Sequence, residues 1–115
     1  MTVTAKIDLS KKSCKPCEGA IQPMAKSDAE YMLKNISGWE LDLTGNCITK
    51  TFKFSDFYRT MSFVNAIAWV AGNENHHPDL EVSYNRCKVN LSTHSINGLS
   101  ENDFIMASKI DKLLE

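Results

Sequence analysis

The chain lacks any apolar run long enough to cross a bilayer, which needs about 20 residues, or to form the apolar stretch of a secretory signal. It also lacks an excess of one charge: 13 Lys and Arg stand against 14 Asp and Glu, a net charge of −1. A nucleic-acid or membrane-surface partner would ask for a basic face, so neither is expected. Cysteine is scarce as well, with four in 115 residues. Only Cys14 and Cys17 form a C-x-x-C pair, and Cys47 and Cys87 stand alone, so a closed four-ligand zinc ribbon cannot be assembled. The pair sits in a polar leader and not at a strand-to-helix junction, which excludes a thioredoxin-like site. It reads as part of a lightly packed arm or, alternatively, as a metal-ligand pair shared across an oligomer interface. With no export signal the expected compartment is the cytoplasm, where thiols stay reduced.

Histidine is scarcer still, and all three of the chain's histidines fall in one short window, "NENHHPDLEVSYNRCKVNLSTHS", residues 73–95. Where that window lies in the fold follows from the pattern around it. Residues 1–26 read as an irregular leader broken by Pro16, Gly19 and Pro23. Residues 27–115 read as one domain. Ser27 with Glu30 gives a capping-box start to a short helix whose inward face is Met32, Leu33 and Ile36, stopped at Gly38. "WELDL" alternates as a half-buried strand, Thr44-Gly45-Asn46 turns, and "CITKTFKF" returns as a second strand. Ser55 is read as the cap of a long helix with Asp56 at its positive end. Its stripe of Phe57, Met61, Val64, Ala68 and Ala71, widened by Ile67 and Trp69, is read as core, with an end near Gly72 or Asn73. Two further strands and a last helix follow. That helix has Ser100 and Asp103 as a capping box and an inner face of Phe104, Ala107, Ile110 and Leu114. The order α-β-β-α-β-β-α predicts an α+β fold, a two-layer sandwich with a four-stranded antiparallel sheet and helices on one face. The uncovered sheet face and edges favour oligomerisation.

In "DLEVSYNRCKVNLST" apolar residues occupy even positions up to Tyr84 and odd positions from Cys87, so a turn at Asn85-Arg86 is expected. Tyr84 then faces Cys87, Val82 faces Val89 and Leu80 faces Leu91, with Tyr84 in the core. Extended to its open end, this register sets His77 opposite His94 on the polar side of the sheet, beside the end of the long helix. Pro78 stiffens the approach, and His76 points elsewhere while still lining the same mouth. Paired imidazoles suit general acid and general base work near neutral pH. Three histidines also suit a metal, although neighbours in an extended chain diverge and no third carboxylate or thiolate is evidently placed to help. Solvated strand-end residues without chemistry are the remaining reading.

At these residues the sequence resembles the pterin-4a-carbinolamine dehydratase family. The family pattern is His-His-Pro, an aromatic six residues after the proline, a histidine ten further on and a downstream Asp. His76-His77-Pro78, Tyr84, His94 and Asp103 meet each spacing. "GW" at 38–39, "F-x-F" at 52–54, "TH" at 93–94 and "GLSENDF" at 98–104 are also similar to it. The likeness runs from about residue 27 to the end, and bacterial versions often carry a C-x-x-C leader. One position departs: four residues before His76 the family usually has a polar ionisable side chain, and this chain has Gly72, with Glu74 as the nearest substitute.

The resemblance implies loss of water from a 4a-hydroxytetrahydropterin to give the quinonoid dihydropterin. That supports tetrahydropterin recycling for aromatic amino acid hydroxylation, with an aromatic amino acid hydroxylase as an associated enzyme. His76, His77 and His94 are the implied catalytic residues, with Asp103 and Glu74 as substrate-binding or orienting residues. Since no electrons move, neither a metal nor a redox cofactor is implied. A homo-oligomer, dimer or tetramer, is expected. Animal relatives also act as dimerisation cofactors of a transcription factor, so a non-catalytic protein-binding module is the alternative.

Overall fold

The computed structural model describes residues 8–16 and 21–115. Three helices, α1 (Lys26–Met32), α2 (Phe57–Glu74) and α3 (Glu101–Lys112), are interleaved with four strands, β1 (Glu40–Leu41), β2 (Ile48–Lys53), β3 (Asp79–Ser83) and β4 (Arg86–Leu91). The strands form one antiparallel sheet in the order β1-β2-β4-β3. This is the expected α+β sandwich. Alternation decides its faces. Ile48, Phe52, Cys87, Val89 and Leu91 point into the core, with Leu80 half-buried beside them, while Thr51, Lys88 and Glu81 stay in solvent on the other side.

Local chemistry accounts for the helix ends, with some shifts from the expected positions. Asp56, not Ser55, caps α2: its carboxylate accepts the Arg59 N–H at 2.8 Å. The buried stripe of α2 is Thr60, Phe63, Ile67 and Val70, rotated from the expected one, and Phe57 and Trp69 are exposed. Apolar residues surround this helix, so periodicity alone does not single out the inner face. Thr60 can be buried because its hydroxyl donates to the carbonyls of Asp56 and Tyr84 at 2.8 and 3.1 Å. α1 begins at Lys26 with Ala25 at the cap position and no side-chain cap, so Ser27 does not act as one. The capping box at Ser100 and Asp103 is present as expected.

The leader contributes more than its composition promises. Leu9, in a short 3-10 turn spanning Leu9–Lys11, is 1% exposed and belongs to the core. The turn lies against α3, which is why Ile105 and Met106 are buried together with Phe104, Ala107 and Ile110, whereas Leu114 is exposed. Cys17 lies outside the described residues.

The β3–β4 hairpin differs from expectation in register. Its loop is Tyr84-Asn85, and Val82 pairs with Cys87, Leu80 with Val89 and Ser83 with Arg86. Tyr84 is therefore an exposed turn residue and not core. A slip of two residues keeps every side chain on its own face, so burial alternation cannot distinguish the two registers.

Candidate active site

α2 ends by a local device that aims the histidines. Asn75 takes the left-handed conformation, φ 52°, which asparagine tolerates, and the His76 N–H turns back to the Ala71 carbonyl at 3.2 Å. The chain leaves the helix extended through His76-His77-Pro78, and successive side chains then face opposite ways. His76 turns inward and is 12% exposed, with Nε2 2.7 Å from Oδ1 of Asp103. His77 turns outward.

Asp103 is fully buried at the first turn of α3. Its Oδ2 accepts the Thr93 hydroxyl at 2.8 Å and the Ser100 backbone N–H at 3.0 Å. A carboxylate only accepts, so Nε2 of His76 carries a proton and donates it to Asp103, leaving Nδ1 outside this bond. This aspartate joins three segments: the exit of α2, the exit of β4 and the start of α3.

His94 opens a 3-10 turn (His94–Ile96) that closes through Asn97 in the left-handed conformation and the Thr93 N–H to Gly98 carbonyl bond at 2.7 Å. Only glycine fits at 98, because a Cβ there would lie 2.6 Å from Cβ of Pro23. The Met24 N–H donates to the Leu99 carbonyl beside it, so the last leader residues brace the loop that carries His94. The rings of His77 and His94 stack, with centroids 5.7 Å apart and planes inclined by 27°. They meet diagonally and not directly across the hairpin. In the observed register the residue facing His77 would be Ser92, and aromatic side chains span the diagonal as well. Asp79, two residues after His77 on the same face of β3, places Oδ2 3.5 Å from Nε2 of His94. The sequence reading passed over Asp79, although the i, i+2 spacing on a strand was the available signal.

A cleft of about 550 Å³ is lined by Cys14, Pro16, Glu74, His76, Thr93 and Ser95 among others; His76 is the histidine on its wall, and His77, Asp79 and His94 lie outside its lining. That volume suits a small-molecule site, typically 300–1,000 Å³. Glu74 is on the wall, and its oxygens are engaged elsewhere: Oε1 accepts the Cys14 N–H at 2.8 Å and Oε2 lies 3.6 Å from Nζ of Lys109. The Cys14 N–H is the main cause holding the Glu74 carboxyl below its ordinary range, with Lys109 adding to it against the effect of burial. Burial, with Glu74 alongside, pushes the Cys14 thiol up to about 12, so it is not a thiolate at neutral pH. Gly72 faces open space, with nothing within 4 Å of a Cβ built there. A second cleft of similar size, about 540 Å³, includes Lys50, Asp111 and Phe52 in its lining, but no histidine. Its Lys50 and Asp111 neutralise each other at 2.9 Å.

The structure thus brings His76, Asp103 and Thr93 together in the interior, His77, His94 and Asp79 on the surface beside them, and Glu74 onto the leader. His77, Asp79 and His94 have potential ligand atoms all within 4.8 Å of one another, the third metal ligand that the sequence reading did not find.

The family model for pterin 4 alpha carbinolamine dehydratase matches residues 22–113, which include every one of these residues. The chain belongs to this pterin-4a-carbinolamine dehydratase family. Relatives carrying the family's name include a Nitrosomonas eutropha protein, 54% identical over 108 residues, covering 93% of this chain and 94% of that one. A Legionella pneumophila relative (strain Corby) is 51% identical over 108 residues, covering 93% and 96%. Among solved structures, a transcriptional coactivator/pterin dehydratase from Brucella melitensis is similar with a TM-score of 0.77 and 34% identity. The match covers 82% of this chain and 100% of that one. The dehydratase family is one of hydro-lyases, and the observed sheet and helix order is that of its fold. Among the described residues no helix is long and apolar enough to cross a membrane.

Proposed function

We propose that the protein dehydrates a 4a-hydroxytetrahydropterin to the quinonoid dihydropterin, with His77 and His94 as the acid–base pair and His76 as the third wall of the site. The observation that carries this reading is the stacked His77–His94 pair, next in the chain to a buried, aspartate-held His76 that lines a cleft of about 550 Å³. Departure of the 4a hydroxyl needs a proton delivered to its oxygen. Formation of the quinonoid double bond needs a proton removed from a ring nitrogen. Water is the only other product, so a donor and an acceptor suffice. Imidazole exists in both forms near neutral pH, and each positioned proton transfer contributes roughly 10²–10⁴-fold. His76, with Nε2 fixed as a donor to Asp103, offers Nδ1 to the bound ring. The reaction supports tetrahydropterin recycling for an aromatic amino acid hydroxylase, and we place it in the cytoplasm.

The test is the dehydration rate of 4a-hydroxytetrahydropterin above its unaided background. Wild type should accelerate it, and His77→Ala and His94→Ala, both exposed and therefore folded, should each lose about 10²-fold or more. A folded wild type with no acceleration would overturn the reading.

Self-association belongs with this reading, favoured by one feature. Tyr58 and Trp69 are 80% and 71% exposed, and their spacing sets them on one outer face of α2. We infer that this face, or the open edge strand β3, joins copies of the chain into a dimer or tetramer. Light scattering on Trp69→Glu should show a smaller assembly than wild type.

A further inference from the structure

We propose that His77, Asp79 and His94 form a binding site for a first-row divalent transition metal, and that the metal, once bound, silences the dehydratase by occupying its acid–base pair. Two imidazole nitrogens and one carboxylate oxygen are a donor set suited to Zn²⁺, Co²⁺ or Fe²⁺, less so to the all-oxygen preference of Mg²⁺ or Ca²⁺. The three donors are already gathered: all their ligand atoms lie within 4.8 Å of one another, and Oδ2 of Asp79 is 3.5 Å from Nε2 of His94. Donors about 2.0–2.1 Å from a tetrahedral zinc are separated by about 3.3–3.4 Å. The Asp79–His94 edge of such a site therefore nearly exists, and the donors of His77, within 4.8 Å of the other two, need to close by at most about 1.5 Å to reach the tetrahedral spacing.

The backbone favours that closure. His77 and Asp79 flank Pro78, whose ring fixes one dihedral, and Asp79 is locked into the ladder opposite Asn90. Their spacing puts both side chains on one side of an extended chain. The side chains of His94 and Asp79 are 58% and 65% exposed, and His77 is exposed too, so their rotation displaces only solvent. His76 stays out, its Nε2 held by Asp103 and its side chain turned the other way. Three protein ligands leave the remaining positions to water, an open site that loads and unloads.

Metal binding here stands on the ligand geometry alone, whereas the silencing rests on the function proposed above. A ring nitrogen coordinated to a metal neither gives nor takes the proton that dehydration requires.

Full-length protein stripped of metal would be titrated with Zn²⁺ by calorimetry and with Co²⁺ by visible absorption. Wild type, Asp79→Asn, His94→Ala and a Cys14→Ser/Cys17→Ser double variant would be compared. One ion per chain in wild type and the cysteine variant is expected, with affinity lowered at least tenfold in Asp79→Asn and His94→Ala. Absence of saturable binding, or binding lost in the cysteine variant and kept in Asp79→Asn, would overturn the site. Dehydration assayed in parallel should fall to background with saturating Zn²⁺ and return with a chelator. Binding without inhibition in an active enzyme would overturn the silencing, and an enzyme inactive even without metal would instead refute the dehydratase reading.

Discussion

Replacing Asp103 by asparagine tests the buried half of the site. The carboxylate takes three hydrogen bonds: His76 Nε2 on one oxygen, and the Thr93 hydroxyl and Ser100 N–H on the other. Asparagine keeps the shape, and its carbonyl oxygen can stay on Thr93 and Ser100. A bond to a charged acceptor contributes about 1.5–3 kcal/mol against about 0.5–1.5 for a neutral one, so these two bonds lose about 1 kcal/mol each. The amide nitrogen then faces Nε2 of His76, donor against donor. Either that contact is lost, at about 1–3 kcal/mol, or His76 moves its proton to Nδ1 and accepts from the amide. The expected loss is about 2–5 kcal/mol, read as a lower urea midpoint with unchanged slope, in a protein that still folds. In the folded variant His76 is therefore either unheld or of the other tautomer, with its proton at Nδ1. If the ring serves the reaction, kcat should fall roughly 10²-fold while KM changes little. A stability loss below about 0.5 kcal/mol would refute the hydrogen-bond reasoning. A normal kcat in the folded, destabilised variant would reduce Asp103 to a helix cap.

Two other perturbations probe the leader. The Glu74 carboxyl is held below its ordinary value, first by the Cys14 N–H, so its contribution to stability is complete above the unfolded value near 4.3 and is lost as pH falls through the lower folded value. Wild type and Glu74→Gln should therefore differ in urea midpoint at pH 7, with the gap narrowing as pH falls below the unfolded value near 4.3, and a gap that does not shrink on acidification would contradict the clamp. Leu9→Ala removes a core side chain that is 1% exposed, and chemical denaturation should register a loss of about 2–5 kcal/mol. A loss under about 1 kcal/mol would mean that the 3-10 turn is dispensable to the core.

The features legible from sequence were those that a few neighbouring residues decide. Alternation in "WELDL" and "CITKTFKF" located a real hairpin, although only Glu40–Leu41 of the first stretch pairs as strand. Ser100 with Asp103 announced the start of α3 because a capping box is a local exchange of hydrogen bonds. Features fixed at a distance were not legible. The β3–β4 register slipped by two because both registers pair apolar with apolar, and β4 is settled by its second neighbour, with Phe52 across from Cys87 on the β2 side. Leu9 has no periodic companions in a polar stretch, so its docking on α3 left no pattern to read. The meeting of His77 with His94 was foreseen from the wrong register and is reached because their faces, unlike their partners, survive a slip of two.

Whether Asp103 serves the helix or the histidines is a choice that the sequence left open and the geometry dissolves. One oxygen faces Ser100 and Thr93, and the other faces His76. A carboxylate has lone pairs for both tasks, whereas Ser100 at the cap position would by itself leave the ring unheld. The arrangement also explains why the two adjacent histidines behave differently. Extended backbone sends one inward to a fixed partner and the other outward to a ring that is itself exposed. His76 is therefore held by the fold, through a carboxylate that also serves the first turn of α3. The His77–His94 pair is held by little more than its own contact and by Asp79, free to adjust to whatever enters the mouth of the hairpin, whether a pterin ring or a metal ion. Rigid support on one side and adaptable donors on the other is the division expected where a small molecule must be both oriented and protonated.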